Sequence, residues 1–374
     1  MSRNNHSAIR PLELLAPARN AEVARQAVLH GADAVYIGAA GFGARAAASN
    51  SFDDIKAVVE VAHSYGARVY VTVNTIVYDS ELKGVEQMIR ELYRVGVDAL
   101  IVQDLGILRM DIPPIDLHAS TQCDIRTHEK ARFLESLGFS QLVLPRELSL
   151  EEIAAIRSAT SVPLEAFVHG ALCVSYSGDC QASQLTCGRS ANRGECAQIC
   201  RYAFDLYAGT SDYPVVRGKH LLSLRDLNRS DSLEAMAAAG ISSFKIEGRL
   251  KDPAYVKNIV ALYRRRLDAI IDSHPELYCR ASEGITDLKF TPQADRSFNR
   301  GFTSYFLNGT PVDNPSMASP DTPKSRGQLV GTVRSVRDSG RIVEASLLHP
   351  LANGDGLGYF SPDEGFVGFR INKA

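Results

Sequence analysis

One phrase recurs between residues 12 and 272 and limits the folds open to this chain. A helical stretch ends at a glycine, two or three residues follow, and a short apolar run comes next, finishing on polar residues. His30-Gly31-Ala32-Asp33 leads into Ala34-Val35-Tyr36-Ile37-Gly38, and Gly96-Val97-Asp98 leads into Ala99-Leu100-Ile101-Val102. Gly138 precedes Leu142-Val143-Leu144, and Gly240 precedes Phe244-Lys245-Ile246. A glycine closing a helix takes the left-handed conformation at little cost. The apolar runs are too short for helices, and burial on both faces is what a parallel sheet requires of its strands.

Further strands are expected at 12–15, 68–73, 115–118 and 163–168, with helices over 52–65, 81–95 and 150–158. Alternation on this scale predicts an α/β fold, a TIM-like (β/α) barrel over residues 11–272. Residues 220–224 read as a ninth strand or as an extended piece of an insertion. A doubly wound nucleotide-binding sheet fits less well. No Gly-x-Gly-x-x-Gly opens a helix after the first strand, and Gly38 to Gly43 has the wrong spacing.

In such a barrel the residues at the C-terminal strand ends share one pocket. Here they are Asn74, Gln103, Asp104, Ser120, Gln122, Arg146, His169, Glu247 and Arg249, a polar and charged set. Asp104 is equally placed to cap a helix. After residue 272 the pattern changes. Pro, Gly, Asn and Ser become frequent from 291 to 325, and residues 273–325 read as a connector. Residues 326–374 read as a small β module, with strands at 328–333 and 341–347 joined through Asp338-Ser339-Gly340. Three or four strands are few for a closed barrel, so an incomplete module, part of a longer chain, is expected.

No uncharged apolar run approaches the roughly 18 residues of a membrane span. The N-terminus lacks the apolar stretch of a secretory signal, and the chain reads as cytoplasmic with no membrane partner. Seven cysteines, an odd number, are a poor disulfide framework in that compartment. Five of them fall between Cys173 and Cys200: Cys173, Cys180, Cys187, Cys196 and Cys200. Soft thiolates at short spacing suit zinc or an iron–sulfur cluster. A structural zinc site usually brings two close Cys pairs, and only Cys196 and Cys200 have that spacing. A thiol catalyst would pair one cysteine with a base such as His169, leaving the others superfluous. Cys187, midway between the two pairs, is read as the spare. Cys123 and Cys279 stand alone. The net charge of −2 leaves room for a local basic groove around Arg189, Arg193, Arg201 and Arg249, whose guanidinium groups match carboxylates and phosphates.

These residues also carry a resemblance. Glu165-x-Phe167-x-x-Gly170-Ala171-Leu172-Cys173-x4-Gly178-x-Cys180 with Ser183 resembles the signature of the collagenase-like U-32 peptidase family. Leu12-Glu13-Leu14-Leu15-Ala16-Pro17-Ala18 and Phe244-Lys245-Ile246-Glu247-Gly248-Arg249 are similar to the family too. The stretch from Gly188 to Arg201 most resembles the family's bacterial branch that makes 5-hydroxycytidine in 23S rRNA. That resemblance implies a [4Fe–4S] cluster on Cys173, Cys180, Cys196 and Cys200. It implies oxygen-independent hydroxylation of a cytidine of 23S rRNA or its precursor, with prephenate as small-molecule oxygen donor. His169, Glu165, Glu247 and Arg249 are then the expected catalytic residues beside the cluster. Other branches imply alternatives: hydroxylation of tRNA or of a quinone precursor, or the peptidase activity of the family's label. The last is poorly served, since the chain has neither His-Glu-x-x-His nor Gly-x-Ser-x-Gly. Two departures from the family pattern are Cys187, where cysteine is not required, and the small Ala182.

Overall fold

The structure, a computed structural model, describes residues 9–39, 50–248, 250–309, 317–340, 342–361, 363 and 365–372. Eight parallel strands close on themselves: Arg10–Pro17, Ala34–Gly38, Arg68–Val73, Ala99–Val102, Asp116–Ala119, Gln141–Val143, Leu164–Gly170 and Ile241–Ile246. The last pairs with both the first and the seventh, so the barrel has no free edge. This is the α/β TIM-like barrel that the recurring phrase predicts.

Local chemistry sets where each element starts and stops. Asn20, Ser51, Thr127, Ser149 and Asp252 each accept a backbone N–H at the start of a helix. Gly31, Gly96, Gly138 and Gly240, the glycines of the phrase, all have φ between +89° and +113°. Gly31 and Gly240 are further constrained, because a Cβ there would run into the stems of Arg264 and Arg157. Between the fourth and fifth strands only a short 3-10 turn, Leu105–Arg109, replaces the helix.

The apolar core fills the layer between the strands and the surrounding helices. Several buried polar groups of the barrel strands pair with one another. Tyr70 and Ser243 donate to the two oxygens of Glu13 at 2.5 and 2.6 Å. Beneath the first strand, buried Asp33 takes Arg264 from the last helix, Pro253–Ser273, and Arg280 from beyond it, at 3.0 and 2.9 Å.

The stretch expected as a connector is packed against this body. Its strand Tyr278–Arg280 pairs with the first barrel strand, and Phe302–Thr303 pairs with Asp226–Asn228, which in turn runs antiparallel to the end of the seventh. Residues 220–224 form no strand; Leu224 makes a single bridge to Ala318. An insertion after the seventh strand carries the helix Ala182–Cys187 and the hairpin Phe204–Tyr207 with Pro214–Lys219. The C-terminal residues form two hairpins, Gly331–Arg337 with Ile342–Leu347 and Gly356–Ser361 with Gly365–Arg370. The first lies a few residues later than the apolar pattern places it, because its ladder runs right up to the turn, where Arg337 pairs with Ile342.

Candidate functional site

At the C-terminal ends of the strands lies a cavity of about 360 Å³, the size of a small-ligand site. Five of the nine strand-end residues named above line it: Asn74, Ser120, Gln122, Arg146 and Glu247. Asp104 instead caps the 3-10 turn through Gly106 and holds the Val77 amide at 2.9 Å. Gln103 is not among the lining residues. Arg249 lies outside the described residues.

The floor is an ion pair. Glu165 is sealed beneath the cavity, with one oxygen accepting from Lys245 Nζ at 2.5 Å and the other from Gln141 at 2.6 Å. Lys245 reaches the cavity between the rings of Tyr36 and Phe167. At the rim Arg146 pairs with Glu247 at 3.0 Å and rests 3.6 Å from the centre of the Phe167 ring. Neighbouring Arg229, fully buried, donates to the carbonyls of Phe167 and Arg146 and so fixes the strand ends beneath them.

The insertion supplies the thiols of the lining. Cys173, Cys180, Cys196 and Cys200 all line the cavity, and Cys187 does not. Cys187 instead bonds back to the Ser183 carbonyl within its own helix. The Ser183 hydroxyl, wholly buried, accepts the Ala197 amide at 3.0 Å and ties the two halves of the insertion together. Cys173 opens toward the cavity, yet the surrounding walls desolvate its thiolate and hold its pKa up, with Arg146 opposing. Burial also raises the Cys200 thiol, against the pull of Arg201. Each of these two thiols is pushed further up by the other cysteines of the set. Two sulfurs already accept backbone amides two residues on: Ser175 at Cys173, and Gln198 at Cys196 at 3.4 Å. Gln198 reaches that position in a left-handed conformation, φ 56°. Four thiols lining one cavity, two of them accepting backbone amides, suit a soft-metal cluster once deprotonated. Among the described residues no three His, Cys, Asp or Glu side chains converge as ligands of a single metal ion.

The sequence profile of peptidase family U32 matches residues 19–316, which spans most of the barrel, the insertion and the segment after it. The chain belongs to peptidase family U32. It is similar to the 23S rRNA 5-hydroxycytidine C2501 synthase of Escherichia coli, 53% identical over 361 residues. The alignment covers 96% of this chain and 54% of that protein, so the chain spans about half the length of this relative. The tRNA hydroxylation protein P1 of Bacillus subtilis is 33% identical over 366 residues, covering 94% of this chain and 84% of its own. A collagenase of Porphyromonas gingivalis is 30% identical over 316 residues, covering 80% and 74%.

Of the residues expected to act in this U32 chain, Glu247 lines the cavity directly and Glu165 lies beneath it, paired with Lys245. His169 is turned away. It is buried against Tyr255, Tyr263 and Phe302, with Nδ1 3.3 Å from the Tyr263 hydroxyl. Burial, reinforced by Lys251, lowers its pKa to about 3, so the ring is neutral. The expected arginine patch is largely occupied. Arg193 makes a two-pronged pair with Glu81 at 2.7 and 2.8 Å and stacks on Tyr78; Arg189 lies on the exposed surface. Arg201 donates to Ser223 Oγ and to the carbonyls of Leu224 and Leu172, which bolts the insertion to the barrel. Three cations of the cavity are absent from the expected site set: Lys245, Lys251 and Arg300. Period-two alternation from Glu247 marks Lys245 as facing the same way. Arg300 arrives from the presumed connector, held by Asp226 at 2.9 Å, and nothing in its sequence neighbourhood points to the site.

Among the described lining residues the cavity carries five cations, Arg146, Arg201, Lys245, Lys251 and Arg300, against one carboxylate, Glu247. A site of this sign attracts and orients an anion. Cys123 stands apart from the cavity thiols and is half-buried; burial raises its pKa to about 11, which disfavours the reactive thiolate.

Proposed function

We propose that this chain is an iron–sulfur-dependent RNA hydroxylase that forms 5-hydroxycytidine in 23S rRNA without molecular oxygen. The observation that carries the reading is one cavity with two kinds of lining. Cys173, Cys180, Cys196 and Cys200 of the insertion share it with the cations Arg146, Arg201, Lys245, Lys251 and Arg300. The four thiols are the residues that would hold a [4Fe–4S] cluster, which when bound supplies electron transfer or a coordination position for an oxygenated ligand. The cationic wall suits an acidic oxygen donor, for which prephenate, a dicarboxylate, is the proposed molecule. The identity to the Escherichia coli rRNA synthase supports the choice of 23S rRNA as the partner. A base inside a duplex cannot enter a cavity at the end of a barrel, so the target cytidine must be unstacked or in a loop.

The residues of the chain divide the remaining work. Glu165 holds Lys245 in place, Glu247 holds Arg146 over the Phe167 ring, and Arg201 keeps the thiol wall closed on the barrel. The collagenase-like relative raises the peptidase reading, but no histidine is among the described residues lining the cavity, and Cys173 has no imidazole base there. Two measurements test the proposal together. Protein purified without air should contain about four iron and four sulfide per chain. A strain lacking the gene should lose the hydroxylated cytidine and regain it from wild type but not from Cys196→Ala. A colourless protein carrying one zinc, or full rRNA modification by Cys196→Ala, would overturn it.

A further inference from the structure

The cations of the cavity differ in what they already hold. Arg146 is paired with Glu247, Arg300 with Asp226 and Lys245 with Glu165, while Arg201 is spent on Ser223, Leu224 and Leu172. Lys251 is the exception. Its ammonium lies 3.5 Å from the centre of the Phe298 ring and 4.8 Å from that of Tyr255, and it lines the cavity. Among the described residues it makes no ion pair or side-chain hydrogen bond. An ammonium held by aromatic faces in a partly desolvated wall is stabilised by the rings, but no carboxylate of the described residues stands at ion-pair distance from it.

We propose that Lys251 is the oxyanion-binding residue of the cavity, taking a carboxylate or phosphate oxygen of a small ligand between the Phe298 and Tyr255 rings and the Arg300 guanidinium. The anion would pair the one described cavity cation that has no ion-pair partner, and the neighbouring Arg300, whose guanidinium carbon lies 4.8 Å from the centre of the same Phe298 ring, adds to the attraction. This site stands on its own geometry; only the view that its ligand is a co-substrate rests on the hydroxylase reading.

The protonation of Lys251 then governs the site. Burial, with the like charge of Arg300, lowers its pKa to about 8, against Asp226, Asp252 and Glu247. Two further groups face it: Tyr255, whose phenol burial keeps protonated, and His169, which is neutral. The charged form that binds an anion is therefore present below pH 8 and lost above it, and affinity should fall roughly tenfold for each pH unit above 8.

The test is calorimetric titration of the full 374-residue chain with succinate, inorganic phosphate and cytidine 5′-monophosphate between pH 6.5 and 9.5. Wild type should bind at least one probe at pH 7 and take up a proton on binding near pH 8.5. Succinate without phosphate marks a carboxylate subsite, and cytidine monophosphate with phosphate marks a nucleotide one. Lys251→Met should bind at least tenfold more weakly at pH 7, whereas Lys251→Arg should bind and hold its affinity to pH 9.5. Lys219→Met, at an exposed pair with Asp321, should match wild type. The proposal is overturned if wild type binds none of the probes, if Lys251→Met binds within twofold of wild type, or if Lys251→Arg weakens with pH as steeply as wild type. Iron analysis of the same samples separates the two readings. Iron-free protein with the expected binding removes the hydroxylase and keeps the subsite; iron-bearing protein without it does the reverse.

Discussion

Glu165 and Lys245 stand on neighbouring strands of the barrel and meet at 2.5 Å, with side chains 0% and 5% exposed. The pair closes the floor of the cavity and presents the lysine, not the glutamate, to whatever binds above. A buried pair of this kind contributes little relative to apolar packing, but removing one partner strands the other.

Glu165→Ala should therefore cost about 3–5 kcal/mol in urea unfolding, since it leaves a buried ammonium beside an orphaned Gln141 amide. Glu165→Leu combined with Lys245→Met should recover most of that loss. A double variant as unstable as the single one would mean that packing, not charge, sets the cost.

Glu13 links stability to pH. Burial raises its folded pKa from 4.5 to about 7, despite hydrogen bonds from Ser243 and Tyr70. The folded chain thus keeps a proton that the unfolded chain has released. This contribution is fully present below pH 4.5 and fades as pH rises through 7, amounting to roughly 3 kcal/mol. Glu13→Gln should remove this dependence, so unfolding free energies at pH 5 and pH 8 should differ less in the variant than in wild type.

Cys187 and Cys180 are separated by seven positions and by role. Cys187→Ser should keep the iron of anaerobically prepared protein, because that thiol faces its own helix turn and not the cavity. Cys180→Ser should lose most of it. Equal iron loss in both would show that Cys187 can serve as a ligand.

Gly178 seats the insertion against the barrel. Its φ is +82°, and a Cβ would stand 2.4 Å from the Gln122 carbonyl oxygen, a backbone atom that cannot step aside. Gly178→Ala should cost at least about 2 kcal/mol and reduce iron content. Gly188→Ala is the control, since φ there is +67° but a Cβ meets nothing within 4 Å. It should cost about 1 kcal/mol, with thermal melting and iron analysis as the readouts.

Much of the barrel is legible in the sequence because its helices need a left-handed stop before each of several strands, and Gly31, Gly96, Gly138 and Gly240 mark them. The thiol wall is legible because its residues are contiguous. The cationic wall is not, since Arg300 joins it through a long-range pair with Asp226 and Lys251 through ring contacts. His169 misleads for a related reason. It sits four positions from Cys173, but the pairing of the seventh and eighth strands slips between Lys245 and Ile246, and its ring packs against the last helix. Proximity along the chain is no guide to facing once a strand is irregular.

All four cavity thiols come from one uninterrupted stretch that enters and leaves the barrel at neighbouring points, fastened there by Arg201. The thiols of the pocket thus come from one contiguous cassette, while four of its five cations, Arg146, Lys245, Lys251 and Arg300, belong to the scaffold. Exchanging residues 173–201 between this chain and a tRNA-acting relative should leave substrate preference with the barrel that receives the cassette.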